Sequence, residues 1–246
     1  MELNPSLSIA YQNRGQANYE KEQYEQSILD FNQAIKIDPQ DAGPYNARAK
    51  TYSQLKKYSR AIEDYDRAIE LESNNPIFYS NRGNAYSRMG EYDRATEDQS
   101  RAMRLNPEDP QAYYNQGQNM LAGDHFEEAI RNYEMAIEVD PEYDQAHANL
   151  AWVLATAPEL IFRDGSRAVL LARIALELKD TPNHRAILAA ALAETGQFQE
   201  AVREQQKALE TFKSAGGIGN VESYQANLNL YKNNKPYRSI PGEYAE

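Results

Sequence analysis

A step of 34 residues runs through this chain and confines it to one kind of architecture. Tyr11, Gly15, Ser27, Phe31, Ala34 and Pro39 return one step later as Tyr45, Ala49, Ala61, Tyr65 and Ala68. They return again as Tyr79, Gly83, Ala95, Gln99, Ala102 and Pro107, and then as Tyr113, Gly117, Ala129, Tyr133, Ala136 and Pro141. A fixed period of this length marks stacked supersecondary units, each of which buries its apolar face only against a neighbour. It argues against a single compact enzyme core and for one extended unit.

Each period reads as two helices. The first begins near the recurring tyrosine. The second carries an apolar stripe at helical spacing, as in Ala61, Ile62, Tyr65, Ala68, Ile69 and Leu71. The small residues Gly15, Ala49, Gly83 and Gly117 imply close approach of the paired helices, because glycine inside a helix otherwise costs about 1 kcal/mol against alanine. Asp38-Pro39, Asn106-Pro107 and Asp140-Pro141 end the second helices, and Asn74-Asn75-Pro76 does the same after the second unit.

The pattern Tyr-x-x-x-Gly/Ala followed by Ala-x-x-x-aromatic-x-x-Ala and ending in proline resembles the tetratricopeptide repeat (TPR) family. The resemblance covers about residues 8–213. It implies an all-α, right-handed superhelical solenoid whose concave groove is lined by the first helix of each unit, and a protein- or peptide-binding scaffold.

About six units are expected. They are residues 8–41, 42–75, 76–109 and 110–143, a fifth over 144–181 with an insertion, and a sixth over 182–213. In the fifth, His147 and Ala151 replace the tyrosine and glycine, and Ala157-Pro158-Glu159-Leu160-Ile161-Phe162-Arg163-Asp164-Gly165 lengthens the turn. Its Leu160-Ile161-Phe162 stretch is expected to fold back over the core, the alternative being a projecting contact site. The sixth carries Leu188, Ala189, Leu192, Ala201 and Ala208. A linker over 214–219 precedes a capping helix over 220–234, with Asn220 as its N-cap and Val221, Tyr224, Leu228 and Tyr231 on one face. The tail, 235–246, is expected to be less ordered from Pro236 on. Residues 1–7 read as the last turn of a preceding unit, because Glu2-Leu3-Asn4-Pro5 matches Arg104-Leu105-Asn106-Pro107 in register.

The ligand-facing positions lie on the first helices, opposite the packing face. Asn13, Asn81, Asn115 and Asn149 recur there, with Asn46 beside the second unit's Ala47. An amide offers an acceptor and two donors and can pair with the backbone of an extended peptide. Some TPR proteins use such an asparagine ladder, and the resemblance carries that role to these positions. The competing reading is that the asparagines bond only within or between helices. Gln16, Lys50, Asn84, Arg88, Gln118 and Trp152 complete the candidate groove, Trp152 being either an anchor of the hot-spot type or a core residue. A lysine–asparagine–arginine clamp for aspartate-terminated tails, known in the family, is incomplete here. Asn46, Gln111 and Asn115 stand where its cations belong, which makes a terminal carboxylate a poor ligand. Arg14, Arg48 and Arg82 recur just before the small residue and are expected to pair with acids on the neighbouring helix.

Composition removes other classes. A net charge of −11 with no basic stripe disfavours nucleic acid as a partner. No apolar run approaches the ~18 residues of a membrane span. The chain has 0 cysteines, so disulfides, thiolate catalysis and Cys–zinc sites are absent. His125, His147 and His184 lack ligand spacing, and no phosphate loop or nucleophile motif occurs, so no catalytic, cofactor or metal site is expected. The start carries no basic region followed by an apolar stretch, which makes the cytoplasm only a default compartment, since a removed leader leaves the same start. The function read from the sequence is a non-catalytic adaptor holding an extended peptide segment. The alternatives are an assembly module acting through its outer face or through self-association of the first helix, and a regulatory segment of a longer protein.

Overall fold

The computed structural model describes residues 5–217 and 221–239. Every regular element among them is helical. The chain divides into two compact units, residues 1–108 and 109–246, each built of the stacked helix pairs expected of a TPR solenoid. The first holds α1 (Pro5–Glu20), α2 (Tyr24–Ile37), α3 (Ala42–Gln54), α4 (Tyr58–Leu71), α5 (Pro76–Arg88) and α6 (Tyr92–Leu105). The second holds α7 (Pro110–Ala122), α8 (Phe126–Val139), α9 (Asp144–Thr156), α10 (Gly165–Leu178), α11 (Pro182–Glu194), α12 (Phe198–Ser214) and α13 (Val221–Lys232). Odd-numbered helices up to α11 pair with the even-numbered helix that follows. α13 packs on α12 as a cap.

The helix starts follow from local chemistry. Asp41, Asn75 and Asp109 each accept from the backbone N–H two residues on, at 2.9, 3.1 and 3.0 Å, and Thr181 accepts from His184 N at 3.1 Å. Pro76, Pro110 and Pro182 stand in the first turn, where a missing N–H costs nothing. α1 begins at Pro5, so residues 5–7 belong to the first helix and not to the end of a preceding one. Residues 1–4 and Asn220 lie outside the described residues.

The turn inside each pair repeats as closely as the helices do. Glu22, Lys56, Gly90 and Asp124 all have φ between 57° and 78°, and Gly196 shares this conformation at 78°. The next residue bonds back over the turn, as Lys57 N to Tyr52 O (2.9 Å) and Glu91 N to Tyr86 O (3.0 Å). In the fifth unit the same bond runs from Asp164 N to Leu154 O at 2.9 Å, so the insertion is looped out of an otherwise normal turn.

Helix pairs close on the small residues. A β-carbon at Gly15 would meet the Phe31 ring at 2.8 Å, and one at Gly117 the Tyr133 ring at 2.7 Å. This contact offsets the low helix propensity of glycine there. The second helices bury the stripe read from the sequence, with Ala61, Ala68, Ala95 and Ala136 fully buried. The two units differ in what fills the centre. The second has one continuous apolar cluster that includes Leu150, Val153, Leu192 and Tyr231. The first has two small clusters, around Tyr65 and Phe78, with buried Asp30, Asp64 and Asp98 beside them. Within α13, Leu228 and Tyr231 are buried and Tyr224 stacks on Phe212 with centroids 5.3 Å apart.

The insertion is split in its behaviour. Phe162 folds back and stacks on Phe126 at 5.4 Å, whereas Leu160 and Ile161 are 73% and 84% exposed. A three-residue 3-10 turn has only one face toward the core, and Phe162 takes it. Of the tail, residues 235–239 are described and 240–246 lie outside the described residues. Residues 236–239 are docked on the second unit, with Ser239 buried.

Candidate functional site

In the first unit the candidate face is carried by α1, α3 and α5. Asn13, Gln16, Lys50, Asn84 and Arg88 are exposed there, and Asn46 and Asn81 are half-buried. Asn81 Nδ2 donates to Asn46 Oδ1 at 2.9 Å, tying α5 to α3. Gln16 donates to Glu20 at 3.0 Å along its own helix, and the Lys50 ammonium lies 5.7 Å from the centre of the Tyr19 ring. Asn84 accepts from Gln99 Nε2 at 2.9 Å. Gln99 replaces the recurring aromatic, is fully buried, and also donates to Ser80 O at 3.1 Å. Asn84 is therefore partly a structural partner of this polar core residue.

Behind that face stands a ladder of ion pairs. Arg14, Arg48 and Arg82 each grip the aspartate 16 residues on: Asp30 at 2.6 Å, Asp64 at 2.5 Å and Asp98 at 2.7 Å. The grip is two-pronged, as in Arg82 Nε to Asp98 Oδ2 at 2.8 Å. Arg48 Nη1 reaches Asn32 and Arg82 Nη1 reaches Asp66, both on the preceding second helix. The arginine column is thus structural, as the sequence suggested. Burial pushes the Asp64 and Asp98 carboxyls above the usual range, against the opposing pull of Arg48 and Arg82. The Asp98 hydrogen bond in turn holds the Arg82 guanidinium more firmly charged.

In the second unit the candidate face is carried by α7, α9 and α11. Asn115 is only 4% exposed and accepts from Gln111 Nε2 at 2.8 Å, so it faces inward where a groove ligand was expected. Asn149 Nδ2 donates to the Tyr114 hydroxyl at 3.1 Å, and exposed Gln118 donates to the same oxygen at 3.1 Å. Burial raises the Tyr114 hydroxyl above its ordinary range, with the Asn149 bond pulling the other way. Asn149 also borders a polar cavity of about 260 Å3 with Tyr114, Asp144, Lys179, Thr181 and His184.

Trp152 is half-buried. One side packs on the apolar cluster and the indole stacks on Tyr237, with centroids 5.3 Å apart. It is core and surface platform at once. Nothing along the chain marked Tyr237 as its partner.

The histidines are used structurally. His147 Nε2 bonds Pro141 O at 2.9 Å and His184 Nδ1 bonds Lys179 O at 2.6 Å. No cluster of metal-ligating side chains occurs among the described residues. Among them, no helix is long and apolar enough to cross a membrane.

Paired helices stacked at a fixed step, with close-packed small residues and exposed first-helix amides, define a helical-repeat interaction array. TPR repeat models match residues 15–56 and 50–90, and tetratricopeptide repeat models match residues 76–109, 111–160 and 184–217. The chain belongs to the tetratricopeptide repeat family. No curated protein matches it. Among solved structures it is similar to Pseudomonas aeruginosa pilF, at 18% identity over 90% of this chain and 97% of that one, with a TM-score of 0.73. It is similar to the APC/C hetero-tetramer Cut9-Hcn1 at 14% identity and a TM-score of 0.76, over 92% of this chain but only 43% of the matched chain. It is also similar to YrrB, a TPR protein with an unusual peptide-binding site, at 22% identity over 74% of this chain and 91% of that one, with a TM-score of 0.55. At these identities the likeness concerns the fold.

Proposed function

We propose that the chain is a non-catalytic scaffold that binds extended protein segments on the faces of its first helices. The observation that carries this reading is the row of polar side chains left exposed on α1, α3 and α5, namely Asn13, Gln16, Lys50 and Arg88, while the opposite faces are consumed by packing. Amides and single cations suit a peptide backbone, whose N–H and C=O groups need partners once water is displaced. Family membership and the likeness to YrrB, a TPR protein with a peptide-binding site, support it. Asn46, Asn81 and Asn149 keep their present bonds and offer a ligand the amide groups those bonds leave over.

The test is a pull-down with the wild-type chain beside an Asn13→Ala/Lys50→Ala/Arg88→Ala variant, after both are shown to melt alike. Proteins recovered by the wild type and lost from the variant support the reading. Identical recovery from both overturns it for this face. A second reading, assembly with another copy, draws on exposed Leu7 and Ile9 of α1, at 48% and 56%. A constant mass by light scattering across concentrations would remove it.

A further inference from the structure

The second unit holds a short extended piece of its own chain, and the contacts are those of a recognition site. Tyr237 stacks on Trp152. Arg238 Nη2 lies 2.6 Å from Glu194 Oε2 at the end of α11. Ser239 donates twice to Thr156 O, from its N–H at 3.0 Å and from its hydroxyl at 2.9 Å. Three consecutive residues therefore meet three distinct groups: a ring, a carboxylate and a backbone carbonyl.

Each of those groups also has contacts outside the tail. Trp152 is anchored on the apolar cluster and presents one face. Glu194 has a side chain only 13% exposed, and Arg163, from the insertion, sits 3.4 Å from its other oxygen. Arg163 thus places a positive charge beside the carboxylate, without a hydrogen bond to it. Thr156 is the last residue of α9, where helix carbonyls lack intrahelical partners. Because the insertion leads the chain away from α9, that carbonyl stays open to an outside donor. The looped-out segment that lengthens the fifth unit therefore leaves the Thr156 carbonyl open and sets a cation beside Glu194.

We propose that this surface is a peptide-binding site for an extended segment reading aromatic, then basic, then Ser or Thr, and that residues 237–239 occupy it as a tethered competitor. The ring needs a flat apolar partner, the carboxylate a cation, and the carbonyl a donor one residue further on. An acidic residue at the second position is rejected, since Glu194 would then face a like charge. The tether gives the resident segment an effective concentration in the millimolar range for a short flexible connection. A partner segment enters by displacing it, so the site is closed until a better match arrives. This deepens the proposed scaffold function and rests on it, naming the ligand class for the second unit.

Trp152 is the sole tryptophan, so its fluorescence reports the site in the full chain. The probe is a capped synthetic peptide, Lys-Pro-Tyr-Arg-Ser-Ile, which copies residues 235–240, beside a control peptide with alanine for tyrosine. The hosts are the wild type and a Tyr237→Ala/Arg238→Ala variant. The expected result is a saturable emission change in the variant, with half-saturation at least tenfold below that of the wild type, no change with the control peptide, and weakening when Glu194→Gln is added. Equal responses in variant and wild type, including none in either, overturn the proposal. If the double variant melts early, Arg238→Ala alone, at a half-buried site, serves with the same criterion. The exposed residues tested by pull-down are in the first unit, so failure of one experiment leaves the other readable.

Discussion

The Arg82–Asp98 pair can be dissected because the chain contains its own replacement. Asp98 has a side chain 6% exposed, Arg82 one 20% exposed, and Asp66, the second partner of Arg82, is 47% exposed. Arg82→Gln leaves a buried carboxylate without its cation. Losing one member of a buried pair costs about 3–5 kcal/mol. Partial access of water at Arg82 places the expected loss at the lower end, about 2–3 kcal/mol. Asp98→Asn leaves Arg82 its bond to Asp66 and costs about 2 kcal/mol. One repeat later, Gln116 and Asn132 occupy the same two places without a hydrogen bond between them, Asn132 Nδ2 donating instead to Glu128 O, so the array tolerates uncharged amides there. The double variant Arg82→Gln/Asp98→Asn is therefore expected within about 1 kcal/mol of wild type, a coupling of at least about 3 kcal/mol. Urea unfolding followed by circular dichroism measures all four species. Hydrogen exchange in α5 and α6 localises the effect, since repeat arrays open locally. If the double variant lost the sum of the two singles, the ladder would be a set of independent contacts and the reasoning refuted.

Three further outcomes follow from the same geometry. The raised Asp64 and Asp98 bind protons more tightly folded than unfolded, so their contribution is fully present below the unfolded value near 3.8 and is lost as pH rises through the folded one. The urea midpoint of Arg82→Gln/Asp98→Asn relative to wild type should accordingly rise from pH 4 to pH 7; a fall reverses the sign and refutes it. Glu204 behaves oppositely, because Lys207 and Arg185 outweigh its burial and hold its carboxyl low. Glu204→Gln should cost more at neutral pH than at acid pH, and a larger loss in acid contradicts the assignment. Lys56→Gly relieves a non-glycine residue at φ 57° and should stabilise by about 0.5–1 kcal/mol, read as a higher urea midpoint. A lower one would mean that the side chain makes up for the backbone cost.

Much of the fold was legible because it is local. Helix pairs, their capping residues and their close-packed glycines depend on neighbours a few residues away or on the paired helix, and a 34-residue step repeats those neighbours. The pairing of Arg14, Arg48 and Arg82 with acids was legible for the same reason, since a helix pair brings Asp30, Asp64 and Asp98 to a fixed place. The asparagines were less so. Asn13 stays exposed while Asn115 is buried and accepts from Gln111 along its own helix, and Asn149 donates to Tyr114, although all three hold the same register. A short amide takes whichever partner lies within about 3 Å, and that depends on side chains outside the repeating pattern.

The sequence by itself determined the class of element and the family, because hydrophobic periodicity, proline and capping chemistry act over one or two helical turns. Tertiary structure alone decided the division at residue 108, the burial of Asn115 and the docking of the tail. The last of these joins residues 83 apart, Ser239 and Thr156. It depends on a carbonyl left open by an insertion and a half-covered carboxylate on α11, neither of which has a signature along the chain. Contacts of that kind arise where irregular segments meet, and a repeat predicts only what repeats.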